Sequence, residues 1–102
     1  VSMNTLTEKI AQRLLQTIAS RKVDRVFITF VKATMTDPID FLMQLSKLAR
    51  TLHIVQKRDF TVTDNVKKQP FFSIPADTVD WTQIFIDMLS NKVCCQLHIC
   101  ST

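Results

Sequence analysis

The chain has no glycine in its 102 residues, although glycine supplies about 7% of an average protein. Glycine is the residue that most readily takes positive φ values and lets a ligand approach the backbone closely. Phosphate-binding loops, dinucleotide-binding turns and nucleophile elbows all depend on it. The sequence therefore argues against a nucleotide-using enzyme. We expect a protein without catalytic activity and without a cofactor.

The composition is that of one globular domain, with 46% hydrophobic and 22% charged residues. We expect residues 1–102 to form a single domain, with residues 1–4 as a tag remnant or a frayed terminus. No apolar run reaches the roughly 18 residues that cross a membrane. No membrane association is expected.

The three cysteines, Cys94, Cys95 and Cys100, lie close together near the end of the sequence. A secreted disulfide scaffold would have an even number spread along the chain. The pattern therefore predicts an intracellular, reducing compartment, the cytoplasm or the nucleus. His98 is near these thiols, but neighbours on one strand face point parallel to each other, which disfavours a cysteine nucleophile with a histidine base.

A zinc site formed by Cys94, His98 and Cys100 is disfavoured by the geometry of a strand. Positions 94 and 98 of a straight strand are about 13 Å apart. Two ligands of one zinc ion are at most about 5 Å apart, given the usual bond lengths. No metal site is predicted.

The first half of the chain alternates helix and strand patterns. The sequence T-L-T-E at 5–8 predicts a capping box and a helix from Leu6 to about Ser20. Residues 25–31, RVFITFV, predict a central strand covered on both faces. Asp37 and Pro38 predict the start of a helix over 38–52, and residues 53–55 predict a strand parallel to 25–31.

The second half predicts two more strands and one more helix. Residues 60–63, FTVT, indicate a short strand, and residues 92–100 alternate as a half-buried strand at a sheet edge. Between them, Phe71, Phe72 and Ile74 are expected to pack beside a third helix. The predicted fold is therefore α/β (or α+β), a small sandwich of three or four strands and three helices in the order α-β-α-β-(β)-α-β.

Surplus apolar residues lead to the first functional hypothesis. A domain this small cannot easily bury every side of two helices, and exposed apolar surface usually marks an interface. An uncharged edge strand can also pair with another chain. We expect a protein–protein interaction or assembly module, binding a protein partner or itself. The predicted interface residues are Ile39, Phe41, Met43, Val79, Ile86, Cys94, Gln96 and His98.

An alternative hypothesis is an RNA- or DNA-binding domain. The net charge is +4, and twelve of the thirteen Lys and Arg residues occur at or before Lys68. A shared basic surface would attract phosphates, and a phenylalanine could stack on a base. The candidate residues are Arg21, Lys22, Arg25, Lys57, Arg58, Lys67, Lys68, Phe71 and Phe72.

Overall fold

The structure is a computed structural model that describes residues 1–57, 71–77, 80–90 and 95–100. Within these ranges the order is β1 (Thr5–Thr7), α1 (Glu8–Arg21), β2 (Arg25–Phe30), β3 (Lys32–Thr34), α2 (Pro38–Leu48), β4 (Thr51–Gln56), β5 (Phe71–Pro75), α3 (Asp80–Leu89) and β6 (Gln96–Cys100). The predicted α/β or α+β class is confirmed. Its three helices were predicted, but β1, β3 and β5 were not.

A four-stranded sheet in the order β2-β4-β6-β5 forms the centre of the molecule, and β1 and β3 form a second, two-stranded sheet. β2 and β4 are parallel, with Arg25 opposite Thr51. β4 and β6 are antiparallel, with His53 opposite His98. β6 and β5 are parallel again. The predicted parallel strand–helix–strand unit over 25–55 is therefore confirmed.

The hydrophobic core lies between the helices and one face of this sheet. Each helix contributes buried side chains, including Leu42 and Leu45 of α2 and Phe85 of α3. The strands contribute the residues that alternate toward the helices. These are Val26, Ile28, Phe30, Leu52, Ile54, Leu97 and Ile99.

The first helix begins two residues later than predicted. Thr7 is its N-cap, and the Thr7 hydroxyl accepts a hydrogen bond from the Ile10 amide at 3.3 Å. Residues Thr5–Thr7 form β1 instead and pair with Lys32–Thr34. Leu6 is buried in this strand. A threonine-rich segment favours a strand once a partner strand is present, which local pattern alone does not reveal.

The C-terminal strand is not at a sheet edge, so that prediction is wrong. β6 lies between β4 and β5 and pairs with both. The absence of charge in Gln96–Cys100 fits an interior strand, which needs no protection from other chains. β2, predicted to be central, is instead the outer strand of the four. Residues 1–3 run beside it, where the Met3 amide donates to the Thr29 carbonyl at 2.9 Å.

Phe71–Pro75 forms the other outer strand, β5, instead of a segment packed only beside the third helix. Proline is tolerated in outer strands because one side of the backbone needs no partner. The second helix ends at Leu48, and Leu52 belongs to β4, where it is buried. The predicted strand over 60–63 lies outside the described residues.

Lys22 ends α1 with a φ of 53°, in the left-handed conformation, and its amide donates to the Ile18 carbonyl at 3.0 Å. The left-handed conformation costs a residue with a Cβ about 1–2 kcal/mol of folding free energy, because the Cβ crowds the backbone. Glycine avoids this steric cost and loses only about 0.5–1 kcal/mol of backbone entropy on folding. Lys22→Gly is expected to raise the free energy of unfolding by about 0.5–1 kcal/mol, measured by urea denaturation. Lys22→Ala is the control and should not raise it. Equal effects of the two substitutions would contradict this explanation.

Candidate functional site

One face of the four-stranded sheet is turned away from the helices. Along β2, Val26, Ile28 and Phe30 are buried, while Arg25 and Phe27 are exposed. We call the solvent-accessible part of this second face the open face. It consists of Arg25, Phe27, Thr51, His53, Phe71, Ser73, Pro75, Gln96, His98 and Cys100. Thr29 and Val55 share the same face but are buried, so accessibility is concentrated toward the start of β2 and β4.

Four aromatic rings from four strands meet on the open face, and we call them the ring cluster: Phe27, His53, Phe71 and His98. The His53 ring makes edge-on contacts with the other three, at centroid distances of 4.7 Å to Phe27, 5.8 Å to Phe71 and 6.1 Å to His98. Phe71 and His98 stack at 6.2 Å. Phe27 and Phe71 remain 48% and 56% exposed. Two large apolar rings are therefore exposed to solvent, outside the hydrophobic core.

His53 is the central residue of this cluster. Its Nε2 atom is buried and has no hydrogen-bond partner among the described residues. Burial lowers the pKa of His53, the hydrogen bond to the Gln96 side chain raises that pKa, and the nearby His98 lowers it. The net direction is downward, because a charged ring at this position loses water without gaining a counter-charge. His53 is thus held in its neutral form.

His98 contacts both Ser73 and Cys100. The Ser73 Oγ atom lies 3.2 Å from His98 Nδ1, and the Cys100 Sγ atom lies 3.7 Å from Nδ1 and 3.4 Å from Nε2. The lone pairs of the two ring nitrogens point in different directions within the ring plane, so a sulfur atom cannot be in line with both. A sulfur that is nearly equidistant from both nitrogens therefore lies over the face of the ring. The contact is therefore of the sulfur–aromatic kind. It differs from the in-line hydrogen bond by which a base activates a thiol.

A cavity of about 530 Å³ lies beside the ring cluster and is open to solvent. Its lining includes Arg25, Thr51, Phe27, His53 and His98. The cavity therefore brings together one permanent cation, one hydroxyl group and two imidazoles at the wall of an aromatic surface. This arrangement suits a ligand that has both a flat apolar part and an anionic part.

Cations surround the end of the sheet next to this cavity. Because β2 and β4 are parallel and Arg25 pairs with Thr51, the α1–β2 and α2–β4 connections lie at the same end. We call this region the basic end; among the residues that the structure describes, five exposed cations lie there: Arg21, Lys22, Arg25, Lys47 and Arg50. Two exposed carboxylates, Asp24 and Asp77, lie at the same end. The cations outnumber them.

The residues predicted for nucleic-acid binding divide into three groups. Arg21, Lys22 and Arg25 lie together at the basic end, and Phe71 lies on the open face. Lys57 follows the opposite end of β4, and Phe72 lies on the helix side of β5, since its neighbour in the register is the buried Leu97. Arg58, Lys67 and Lys68 are outside the described residues.

The residues predicted for a protein interface are dispersed. Phe41 is buried in the core, so its assignment to an exposed surface is wrong. Met43 and Ile86 are exposed, and Ile39 is half-buried. Gln96 and His98 lie on the open face of an interior strand instead of on a free edge. Val79 and Cys94 are outside the described residues.

Sequence reasoning missed Phe27, His53 and Arg50 as members of the site. The signal for Phe27 was present, because Arg25, Phe27 and Thr29 alternate with the apolar Val26, Ile28 and Phe30. The segment contains so few polar residues, however, that its composition indicates a strand covered on both faces. His53 and Arg50 join the site only through strand pairing, which brings β4 between β2 and β6.

Further observations complete the description of the site and its surroundings. Cys100 has a free thiol. Within the described ranges, no cluster of three or more His, Cys, Asp or Glu side chains is arranged to hold a metal ion, and none of the helices there has the length and apolarity to cross a bilayer.

Compared with protein-family models, with curated proteins and with solved structures, the chain matches none.

Proposed function

We propose that this chain is a non-enzymatic, intracellular domain that binds single-stranded nucleic acid on the open face of its sheet. The observation that carries the proposal is the ring cluster. It exposes Phe27 and Phe71, of which Phe27 lines the cavity together with Arg25, and the residues that define the open face include no carboxylate. The intracellular location rests on the cysteine pattern described above.

Unpaired bases suit this surface better than a duplex does. A base that stacks on an exposed aromatic ring gains about 1–3 kcal/mol, and every base has the flat face that this contact needs. The open face is a broad sheet surface on which the exposed Phe27 and Phe71 each contact the ring of His53. A duplex hides the faces of its bases and is read through its grooves. Stacking therefore favours single strands with little sequence preference.

The basic end supplies the second part of the interaction. Phosphates that follow a base stacked on Phe27 come within the region of Arg25 and Arg50, because Arg25 is two residues from Phe27 and pairs beside Thr51. Neutralising phosphates releases counterions, so the affinity must fall as salt rises. Asp24 and Asp77 reduce the positive potential of the basic end, so we expect the affinity for nucleic acid to be moderate.

Binding is tested by fluorescence anisotropy with a labelled oligouridine and a labelled oligothymidine over a series of salt concentrations. We expect saturable binding by the unmodified protein. The Arg25→Glu/Arg50→Glu variant should bind at least about tenfold more weakly. The slope of log K against log salt should also become shallower by about 1.4 in this variant, since each contacted phosphate contributes about 0.7 for single strands. Lys9→Glu/Arg13→Glu on α1 is the matched control, because it changes the total charge equally on an exposed helix surface. No binding by the unmodified protein, or equal losses in both variants, would count against the proposal.

Association with a protein partner or with a second copy is the second candidate. It is favoured by three exposed apolar side chains on the helices, Met43, Leu48 and Ile86, which are 47%, 42% and 41% exposed. Exposed apolar groups of this size mark interfaces when they are contiguous. Sedimentation equilibrium of the protein alone, and of Met43→Ser/Ile86→Ser, tests self-association. A monomer at all concentrations would reject the self-association form of this candidate.

A further inference from the structure

We propose that the open face takes up a proton at His53 when a phosphate group of the ligand enters the neighbouring cavity, so that affinity for single-stranded nucleic acid rises as pH falls. This inference rests on the proposed function and adds a regulatory property to the same site. It is carried by the geometry of the cavity, which the His53 ring lines together with the guanidinium of Arg25 and the ring of His98.

His53 lies at the wall of the cavity, and the open-face residues around it include no carboxylate. Burial lowers the pKa of His53, and the hydrogen bond to the Gln96 side chain raises it. The neutral imidazole has one N–H and one lone pair. Protonation adds a second N–H and a positive charge, which need an acceptor and a counter-charge at the cavity wall.

A phosphate oxygen is the acceptor that fits this position. The cavity of about 530 Å³ has Arg25 and Thr51 in its lining as well as His53 and His98. At about 30 Å³ per water molecule, this volume exceeds that of ten waters and accommodates a phosphate with part of its hydration shell. A bound phosphate would supply both the missing hydrogen-bond acceptor and the missing counter-charge. Both effects stabilise the protonated ring.

The ionisable groups around His53 determine the sign of the effect. Arg25 of β2 and His98 and Cys100 of β6 lie on the same face as His53, whereas the open-face residues of β5, Phe71, Ser73 and Pro75, carry no charge. In the free protein, burial, with a smaller contribution from His98, lowers the pKa of His53. A ligand that raises that pKa must itself bind more tightly at lower pH, because the two equilibria are linked reciprocally.

The test is the affinity of the full chain for labelled oligouridine at constant ionic strength from pH 8.0 to pH 5.5. Uptake of one proton changes affinity by at most tenfold per pH unit, and we expect an increase of about tenfold over this range. His53→Gln and His53→Phe, of which the second keeps an aromatic ring, should each reduce the increase to about twofold or less. The readout is the ratio of affinities at the two pH values, so a general loss of affinity does not mimic the result.

Two further measurements separate the possible outcomes. An oligothymidine with an uncharged methylphosphonate backbone should lose the pH dependence, since it offers no phosphate charge to pair with the ring. NMR titration of the His53 ring should show that the charged oligonucleotide raises its pKa. Binding that is independent of pH, or equally dependent in both His53 variants, would overturn this inference and leave the proposed function intact. Absence of binding at every pH would instead reject the proposed function, and this inference with it.

Discussion

Replacing both Phe27 and Phe71 with alanine is expected to lower the affinity for single-stranded oligonucleotides by about thirtyfold or more. Each stacked base gains about 1–3 kcal/mol from its ring, so losing two rings costs at least about 2 kcal/mol. Both side chains are roughly half exposed, and their truncation leaves little cavity in the core. The fold should therefore persist, with a cooperative thermal transition and unchanged far-ultraviolet circular dichroism. Anisotropy titration at low salt measures the effect.

The neighbouring Phe72 provides a matched control for this experiment. It follows Phe71 directly but lies on the helix side of β5. Phe72→Ala should change the affinity by less than about twofold, although it lowers stability by removing a partly buried ring. If Phe72→Ala weakened binding as much as Phe71→Ala, the open face would not be the binding surface. An undiminished affinity in the Phe27/Phe71 double variant would lead to the same conclusion.

Gln96→Pro is expected to abolish cooperative folding. Gln96 pairs with Val55 of β4 on one side and with Phe71 of β5 on the other. Proline removes a backbone donor and is found in sheets almost only at outer strands or bulges. Its cost in regular structure is about 3 kcal/mol or more, which is a large part of the total stability of a domain of this size. Thermal denaturation followed by circular dichroism should show no cooperative transition.

The control for this substitution is Gln96→Ala, which removes the side chain but keeps the backbone amide. It should retain a cooperative transition, displaced by a few degrees at most. A stable, cooperative Gln96→Pro protein would show that β6 is not held on both sides. Such a result would restore the edge position that the sequence pattern first suggested.

Local patterns predicted those parts of the fold that depend on neighbouring residues. The apolar run at 25–31, the cap and proline at 37–38 and the apolar stripe of the third helix (Trp81, Ile84, Phe85, Met88 and Leu89) each describe one element. Asp37 caps α2 as predicted, with its Oδ1 accepting from the Asp40 amide at 3.0 Å. Trp81, Phe85 and Met88 are buried as the stripe required. These features depend on periodicity and capping, which the sequence contains directly.

The order of strands in the sheet depends on distant pairing and was not predictable in the same way. A strand without charges, such as Gln96–Cys100, fits an interior position and an unprotected edge equally well. The decisive fact is that Phe71–Pro75 forms a strand that covers its second side. Pro70 before the strand and Pro75 at its end concealed it, because proline is unusual within strands.

Much of the candidate site could not be predicted from the sequence, because it too depends on the pairing of distant strands. Phe27, His53, His98 and Phe71 come from four strands, and they meet only because the register places them on one face. The sequence contributed the cations Arg21, Lys22 and Arg25 and the exposed Phe71. It could not show that His53 lies between two phenylalanine rings, since that contact joins residues 26 and 18 positions apart.

The interior position of β6 also has a consequence for synthesis on the ribosome. In the sheet, β4 and β5 do not pair with each other; each pairs with β6. While the chain is being elongated, the parallel pair β2–β4 can form early, but among the described strands β5 has no pairing partner until residues 96–100 have left the exit tunnel. Until then, the exposed Phe71 and Phe72 and the backbone of β5 are available to other molecules. The nascent chain therefore passes through a stage with an incomplete sheet, during which a chaperone that recognises extended apolar segments has a binding site that the finished fold removes.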